Sequence, residues 1–381
     1  MRLTFKYRLY PTDAQAAFLN GELREAASLY NAALEERIGA WRVCRKSINY
    51  YDQANQLKAM RADGCLTLAN FSCCQDVLRR VDKAFKAFFG RVKRGVKAGF
   101  PRFRSSCRYD SITFPSYGDG CRLLDSGKLR VQGAGHIKVK LHRSLEGTVK
   151  TVTIKREAAR WFACFSVECD PVALPVSSES VGIDVGLTTF AVLSDGSQIE
   201  NPRFYRNAQS QLRRCQRKVA RRKKGSACRR KAVQQLQRVH AHIRNQRSDF
   251  AHKESRKIVN RFGLIVVEDL NIKGLAGGML AKSVNDAAWA LFFFCLAYKA
   301  AYAGREYVKV DPRGTSQICV CGASVPKTLA QRWHKCDACG REGPRDSISS
   351  EVILQRAGNR PSGVNVGVVE PCVAREAVCF S

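Results

Sequence analysis

The sequence predicts a multidomain α+β protein, and three observations carry that prediction. The chain has 381 residues, more than a single hydrophobic core usually serves, since cores stop growing near about 250–300 residues. Its periodicities come in blocks: a helical pattern first, then a stretch rich in β-branched and aromatic residues, then apolar strands separated by long basic helices. Near the C-terminus four cysteines fall in two pairs, each followed by glycine, which is the spacing of a small metal-stapled module.

The elements follow in order. In "MRLTFKYRLYPTDAQAAFL" Leu3, Phe5, Tyr7 and Leu9 alternate with polar neighbours, which is strand period, and Pro11 ends the run. Thr12 has Gln15 three residues on, the spacing of a helix capping box. Residues 14–89 are mostly helical in pattern; Val77, Leu78, Val81, Phe85 and Phe88 share one helical face, with Arg79, Arg80, Lys83 and Lys86 between them. From Gly99 the pattern becomes that of a small antiparallel barrel or sheet ending near Glu168, which the first strand can join. Asp170–Ser180 ("DPVALPVSSES"), with two prolines and a serine cluster, reads as a linker.

"SVGIDVGLTTFAVLSDG" then places Asp184 near the end of the first strand of a meander, with Asp195-Gly196 as a hairpin turn. Asn207–Val259 is long, helical and very basic, with Gly225 and Ser226 at the turn of a helical hairpin. Leu264–Leu270 is a short apolar strand ending in carboxylates; a helix at 287–303 and the strand Tyr307–Asp311 follow. Leu291–Gly304 is the most apolar stretch, too short to span a membrane, and reads as a buried helix. Pro344 and Asp346 open a last helix, on which Ile348, Val352 and Ile353 recur at helical spacing; beyond about Arg360 the pattern is weak.

Composition narrows the partners. Lys and Arg number 65 against 33 Asp and Glu, a net charge of +32. Nucleic acid is the default partner of so basic a chain, with an anionic membrane surface or plain solubility as the bland alternatives. No membrane span and no secretory signal are read, and most of the 17 cysteines, such as Cys164, Cys215 and Cys295, sit singly in apolar or helical contexts. A reducing, cytoplasmic setting is expected.

Two groups of residues carry chemistry. Two apolar strands each end in an acid, Asp184 and Glu268, and a third acid, Asp346, opens the last helix. Strand alternation turns Asp269 away from Glu268. Carboxylates gathered at strand ends repel unless a cation lies between them; a pair of divalent ions would drive phosphodiester hydrolysis, and oxygen ligands suit Mg²⁺ or Mn²⁺. The alternative is that each acid caps a strand or pairs with one of the many arginines. The second group is Cys319, Cys321, Cys336 and Cys339 in "TSQICVCGASVPKTLAQRWHKCDACGRE". Two knuckles give a closed tetrahedral Cys₄ site for structural Zn²⁺, with no open position for substrate. The first knuckle is Cys-x-Cys, one residue shorter than usual, and His334 is the nearest substitute ligand.

The order "GIDVGLTTFAVLSDG", "IVVEDLNIKGL", "TSQICVCG…CDACG" and "RD" before a helix resembles TnpB, the transposon-encoded nuclease family regarded as ancestral to the type V CRISPR effectors. "YRLYPTDAQAAFL…ASLYNAALEER" and "GFPRFR" are similar to its N-terminal part, so the resemblance spans about residues 1–357. It implies a wedge β-barrel begun by residues 1–10 and completed by 99–169. A helical recognition insertion would occupy 11–98, and 170–180 would link this part to a RuvC-like, RNase H-type nuclease domain at 181–314. That domain would be interrupted by a zinc ribbon at 315–342, with its final helix at 343–357; the weakly patterned residues 358–381, beyond the resemblance, are expected to form a flexible tail. It further implies RNA-guided cleavage of double-stranded DNA next to a short adjacent motif, with Asp184, Glu268 and Asp346 matching the three acidic positions. Where the family often has Asn-Ala-Ala and a further Asn after the third acid, this chain has Ile348, Ser349, Ser350 and Val352.

The basic tract then has a task. Guide RNA and its duplex with target DNA present dense phosphate, held by backbone contacts. The candidates are Arg213, Arg214, Arg217, Lys218, Arg221, Arg222, Lys223, Lys224, Arg229 and Arg230; a solvated helical hairpin is the alternative. Guide RNA and target DNA are the expected partners, a monomer the expected state, and the prokaryotic nucleoid the expected place. A nuclease-inactive guided regulator, a DNA-joining transposase and an unguided resolvase are the rival functions. Retention of all three acids argues against the first, and the ribbon and barrel would go unexplained in the last.

Overall fold

The computed structural model describes residues 1–328 and 330–358; the expected tail, 358–381, falls outside the described residues from 359 on. The chain forms two compact units, residues 2–169 and residues from 170 onward, and is a mixed α/β protein.

In the first unit, strand β1 (Arg2–Tyr10) leads into helices α1 (Asp13–Cys44), α2 (Tyr50–Ala62) and α3 (Phe71–Lys93). Six strands follow: β2 (Ser111–Phe114), β3 (Cys121–Leu123), β4 (Lys128–Val131), β5 (Gly135–Lys140), β6 (Thr148–Glu157) and β7 (Arg160–Glu168). They make a seven-stranded sheet in the order β2-β6-β7-β1-β5-β4-β3. β1 lies inside it, antiparallel to both β7 and β5. Its alternation decides the inward face, because Tyr7 and Leu9 are buried with Ile154, Phe165 and Val167 in the core. Thr12 and Gln15 form the capping box of α1, Thr12 Oγ1 accepting from the Gln15 amide at 3.3 Å and Gln15 Oε1 from the Thr12 amide at 3.0 Å. On α3, Val77, Leu78 and Val81 are buried in the same core, and Phe85 packs on it.

In the second unit, residues 170–179 have no regular structure, yet Leu174 N donates to Ala303 O and Arg305 to Pro175 O. The elements are β8 (Ser180–Val185), β9 (Thr189–Leu193), β10 (Gln198–Glu200), α4 (Phe204–Ala220), α5 (Ala227–Arg261) and β11 (Leu264–Glu268). Then come α6 (Ile272–Leu275), α7 (Ala281–Ala287), α8 (Trp289–Tyr302), β12 (Glu306–Val310), the short hairpin β13 (Trp333–Lys335) and β14 (Glu342–Pro344), and α9 (Arg345–Gly358). A five-stranded sheet runs β10-β9-β8-β11-β12. β8, β11 and β12 are parallel, and β9 and β10 fold back antiparallel. β8 and β11, inside the sheet, are largely apolar on both faces, as strands covered on both sides are, while the edge strand β12 alternates, burying Val308 and Val310 and exposing Glu306 and Lys309. Val181, Ile183, Ile265 and Val267 pack with residues of α5 and α8, while Val266, Val308 and Val310 pack with Ile353 of α9. Pro344 closes β14, so the last helix starts one residue later, at Arg345, and keeps Asp346 in its first turn.

Candidate active site and nucleic-acid interface

β11 pairs with β8 in parallel, from Leu264 opposite Ser180 to Val267 opposite Ile183. One more residue along that register sets Glu268 beside Asp184, at the carboxyl ends of strands about 4.8 Å apart. Gly182 fixes the face. A Cβ there would lie 2.1 Å from the Ser350 carbonyl oxygen of α9, so only glycine lets that helix lie this close. Asp184, two residues on, points to the same side. Ser350 is one helical turn past Asp346, and Ser349 and Ser350 are buried and small where the helix meets the strand. Ile348 and Val352 are buried apolar residues, so the places where TnpB sequences often carry Asn serve packing here.

Asp184 lies within the electrostatic reach of both other acids. Loss of hydration, followed by the charges of Glu268 and Asp346, pushes the Asp184 carboxyl well above the usual carboxylate range; Arg345 and the Val185 amide oppose this. Glu268 is 8% exposed. Burial raises its pKa, against the Thr315 hydroxyl and Arg356. Thr315 Oγ1 donates to Glu268 Oε1 at 2.5 Å. Asp346 lies 3.3 Å from Arg345 Nε and 4.0 Å from Arg332 Nη1. Asp269 is elsewhere: exposed, it pairs with Lys309 at 2.9 Å. Asp184, raised by burial and by the charges of its two acidic neighbours, and Glu268, raised by burial, offer oxygen donors that fit a divalent cation.

The four cysteines meet as a second cluster, all four sulfurs within 4.8 Å of one another. Cys319 and Cys339 are 3.7 Å apart, Cys321 and Cys336 3.6 Å. A tetrahedron with metal–sulfur bonds of about 2.3 Å has edges of about 3.8 Å, so the thiols stand at zinc-site separations and far outside disulfide length. The Cys339 amide, with that of Ala338, draws the Cys336 thiol down to about 7. The Arg341 amide pulls Cys339 the same way, but the thiols of Cys321 and Cys336 outweigh it and push Cys339 up to about 12. Four thiolates need a cation to coexist. His334 stays out of the group; it is buried, and its Nδ1 lies 2.6 Å from Lys327 Nζ.

The basic hairpin is α4 and α5. Residues 201–248 hold 16 Lys and Arg and no acid. Arg213, Arg214, Arg217, Lys218, Arg221 and Arg222 line an open groove of about 690 Å³. Lys223, Lys224 and Arg230 are also exposed. Arg229 is half-buried, and its Nη1 donates to the carbonyls of Val219 and Arg222, which closes the turn. Sequence reasoning missed Asp286. It is buried on α7 and accepts from the Tyr205 amide at 2.7 Å, the Arg206 amide at 3.1 Å and Arg247 Nη2 at 2.9 Å. Arg203, at the start of α4, makes no side-chain cap, so a distant carboxylate supplies the helix N-terminus with its anion.

Residues 164–278 match the family described as "Probable transposase" and residues 289–353 the "Cas12f1-like, TNB domain". Residues 1–46 match a "Helix-turn-helix domain", although the structure there has one strand and one long helix. A Streptomyces pristinaespiralis protein named "Putative RNA-guided DNA endonuclease" is 35% identical, covering 97% of this chain and 92% of its own length. The chain belongs to the TnpB family. A second TnpB relative, from Escherichia coli K12 and bearing the same name with the suffix InsQ, is 28% identical over 92% of this chain and 91% of its own. Cas12f1 of Sulfoacidibacillus thermotolerans, a CRISPR-associated endodeoxyribonuclease, is 28% identical over 58% of this chain and 57% of its own.

Proposed function

We propose that this chain is an RNA-guided endonuclease of a transposable element that cuts double-stranded DNA by divalent-metal-assisted hydrolysis next to a short adjacent motif. The observation that carries the reading is the convergence of Asp184, Glu268 and Asp346 on one face of the five-stranded sheet in a member of the TnpB family. In this reading the five-stranded sheet with α9 is a RuvC-like nuclease domain. Residues 315–342 are a zinc ribbon held by Cys319, Cys321, Cys336 and Cys339. The seven-stranded sheet is the wedge barrel, and α1–α3 form its helical insertion. The names of the relatives supply the substrate and the guide.

Asp184, Glu268 and Asp346 would hold Mg²⁺ or Mn²⁺ through oxygen. When bound, such ions supply a water acidic enough to attack at neutral pH and stabilise the leaving oxygen. The protein's own share is placement: strand register sets Asp184 beside Glu268, Gly182 admits α9, and the first turn of α9 presents Asp346. The groove along α4 offers Arg and Lys to phosphate without reading bases, leaving sequence choice to base pairing. The test is cleavage of a plasmid bearing a guide-matched target, with and without guide RNA and Mg²⁺. Cutting is expected only with both; cutting without a guide, or none with both present, overturns the reading.

A further inference from the structure

We infer that the cysteine ribbon positions the acidic site: each of its two legs holds one carboxylate, Thr315 holding Glu268 and Arg345 holding Asp346. This rests on the proposed role of the three acids as metal ligands.

The first leg enters the ribbon through the turn Thr315–Gln317, which begins at Gly314 in the left-handed region (φ +73°). Two residues later comes Cys319, whose knuckle is closed by Cys319 N donating to Ala323 O at 2.9 Å and by the Ile318–Ser324 bridge. Thr315 is buried, and its hydroxyl has one proton. That proton goes to Glu268 Oε1 at 2.5 Å, since the Pro312 carbonyl is farther away at 3.1 Å. One carboxylate oxygen is thus engaged, and Oε2 is left for a cation.

The second leg is the hairpin. β13 and β14 pair Trp333 with Pro344 and Lys335 with Glu342, and the next residue, Cys336, donates its amide to Arg341 O at 3.0 Å. β14 passes into α9 with no residue between Pro344 and Arg345. The Arg345 amide donates to Arg332 O at 2.8 Å, its Nη1 to Gln331 O at 3.2 Å, and its Nε lies 3.3 Å from Asp346 Oδ1. Its side chain is only 13% exposed. The arginine is therefore fixed by two backbone carbonyls of the strand entrance while it faces the acid. A slip in the hairpin register, which the Cys336–Cys339 knuckle closes, moves Arg345 and Asp346 together.

Thr315 and Arg345 are positioning residues, so their signature is metal affinity. Mn²⁺ binding to the guide-loaded protein is measured by electron paramagnetic resonance for wild type, Thr315→Val, Thr315→Ser, Arg345→Gln and Cys336→Ser. Melting curves and gel-shifts on target DNA are run beside it. Thr315→Val is expected to weaken Mn²⁺ about tenfold or more and to raise the half-maximal Mg²⁺ for cleavage by the same factor, the usual loss when a ligand's outer partner is removed, while Thr315→Ser stays within about twofold. Arg345→Gln and Cys336→Ser are expected to weaken Mn²⁺ as well, with target affinity unchanged for the Thr315 variants. Unchanged Mn²⁺ affinity in folded Thr315→Val and Arg345→Gln, in a series where Glu268→Ala abolishes it, overturns the inference and leaves the site standing. Unchanged Mn²⁺ affinity in Glu268→Ala overturns the site itself.

Discussion

The two clusters of would-be ligands in the second unit are built in opposite ways. The cysteines lie within residues 319–339 and meet because two local turns bring them together. The acids come from residues 184, 268 and 346 and meet because a sheet and a helix pack. The first cluster can offer four soft donors and no open position, as a structural site does; the second has three hard donors and remains partly accessible. The difference separates a part whose geometry a few neighbouring residues decide from a part whose geometry is the outcome of the whole fold.

The sharpest way to break this contrast is to remove one member of the acid group. Asp184→Ala is expected to lower guided plasmid cleavage by several orders of magnitude, since activation of water by metal is what makes hydrolysis fast, yet to leave target binding intact in a gel-shift. Asp269→Ala should cost little, because that side chain is exposed and paired with Lys309. Loss of DNA binding in Asp184→Ala would instead make the carboxylate a structural one.

Next in size is the cysteine group. Cys336→Ser should release zinc, read by elemental analysis of the folded protein, and lower the melting temperature, because ligand loss from a small metal module is loss of folding energy. Well-folded wild type without zinc would remove the metal from this site.

A smaller effect reads the acid group through pH. The Asp184 pKa is raised in the folded state. Well below the unfolded pKa both states hold the proton and no penalty exists. As pH rises through the unfolded value the unfolded state ionises first, and stability falls until the folded carboxyl also ionises. The penalty then persists, so metal-free Asp184→Asn should melt at a higher temperature than wild type at neutral pH and should match it in strong acid. A lower melting point at neutral pH would mean that a partner, not a metal, offsets the charge. Smallest is the joint replacement of Arg221, Arg222, Lys223 and Lys224 by Gln. Each lost phosphate contact should reduce the log–log salt slope of RNA binding by about 0.7 on a single strand or about 0.9 on a duplex; an unchanged slope would make the turn solvated surface.

What could be read from residue patterns was what neighbouring residues decide. Alternation in Leu3–Leu9, the Thr12–Gln15 cap, the hairpin at Gly196 and the cysteine pairs are all local, and each appears in the structure. The acids could be singled out because a carboxylate ending an apolar strand is costly without a partner. Their company was not legible. Nothing near Gly182 says that the α9 backbone will rest on it, nothing near Thr315 says that it will meet Glu268 from 47 residues away, and Asp286 caps α4 from 81 residues away. Such contacts depend on the strand order β9-β8-β11-β12, which periodicity does not encode.

The acid-free span 201–248 has a thermal consequence of its own. With 16 cations and no carboxylate, its helices repel themselves, and Asp286 is the anion that pins the start of α4 among the described contacts. A net charge of +32 adds to that self-repulsion. A polyanion that binds the folded arm and not the unfolded chain raises stability by mass action, to an extent set by its concentration relative to its dissociation constant. Stripped of nucleic acid, the protein should therefore need added salt to reach the melting temperature that it has with RNA. The guide would then act as a folding ligand before it acts as an address.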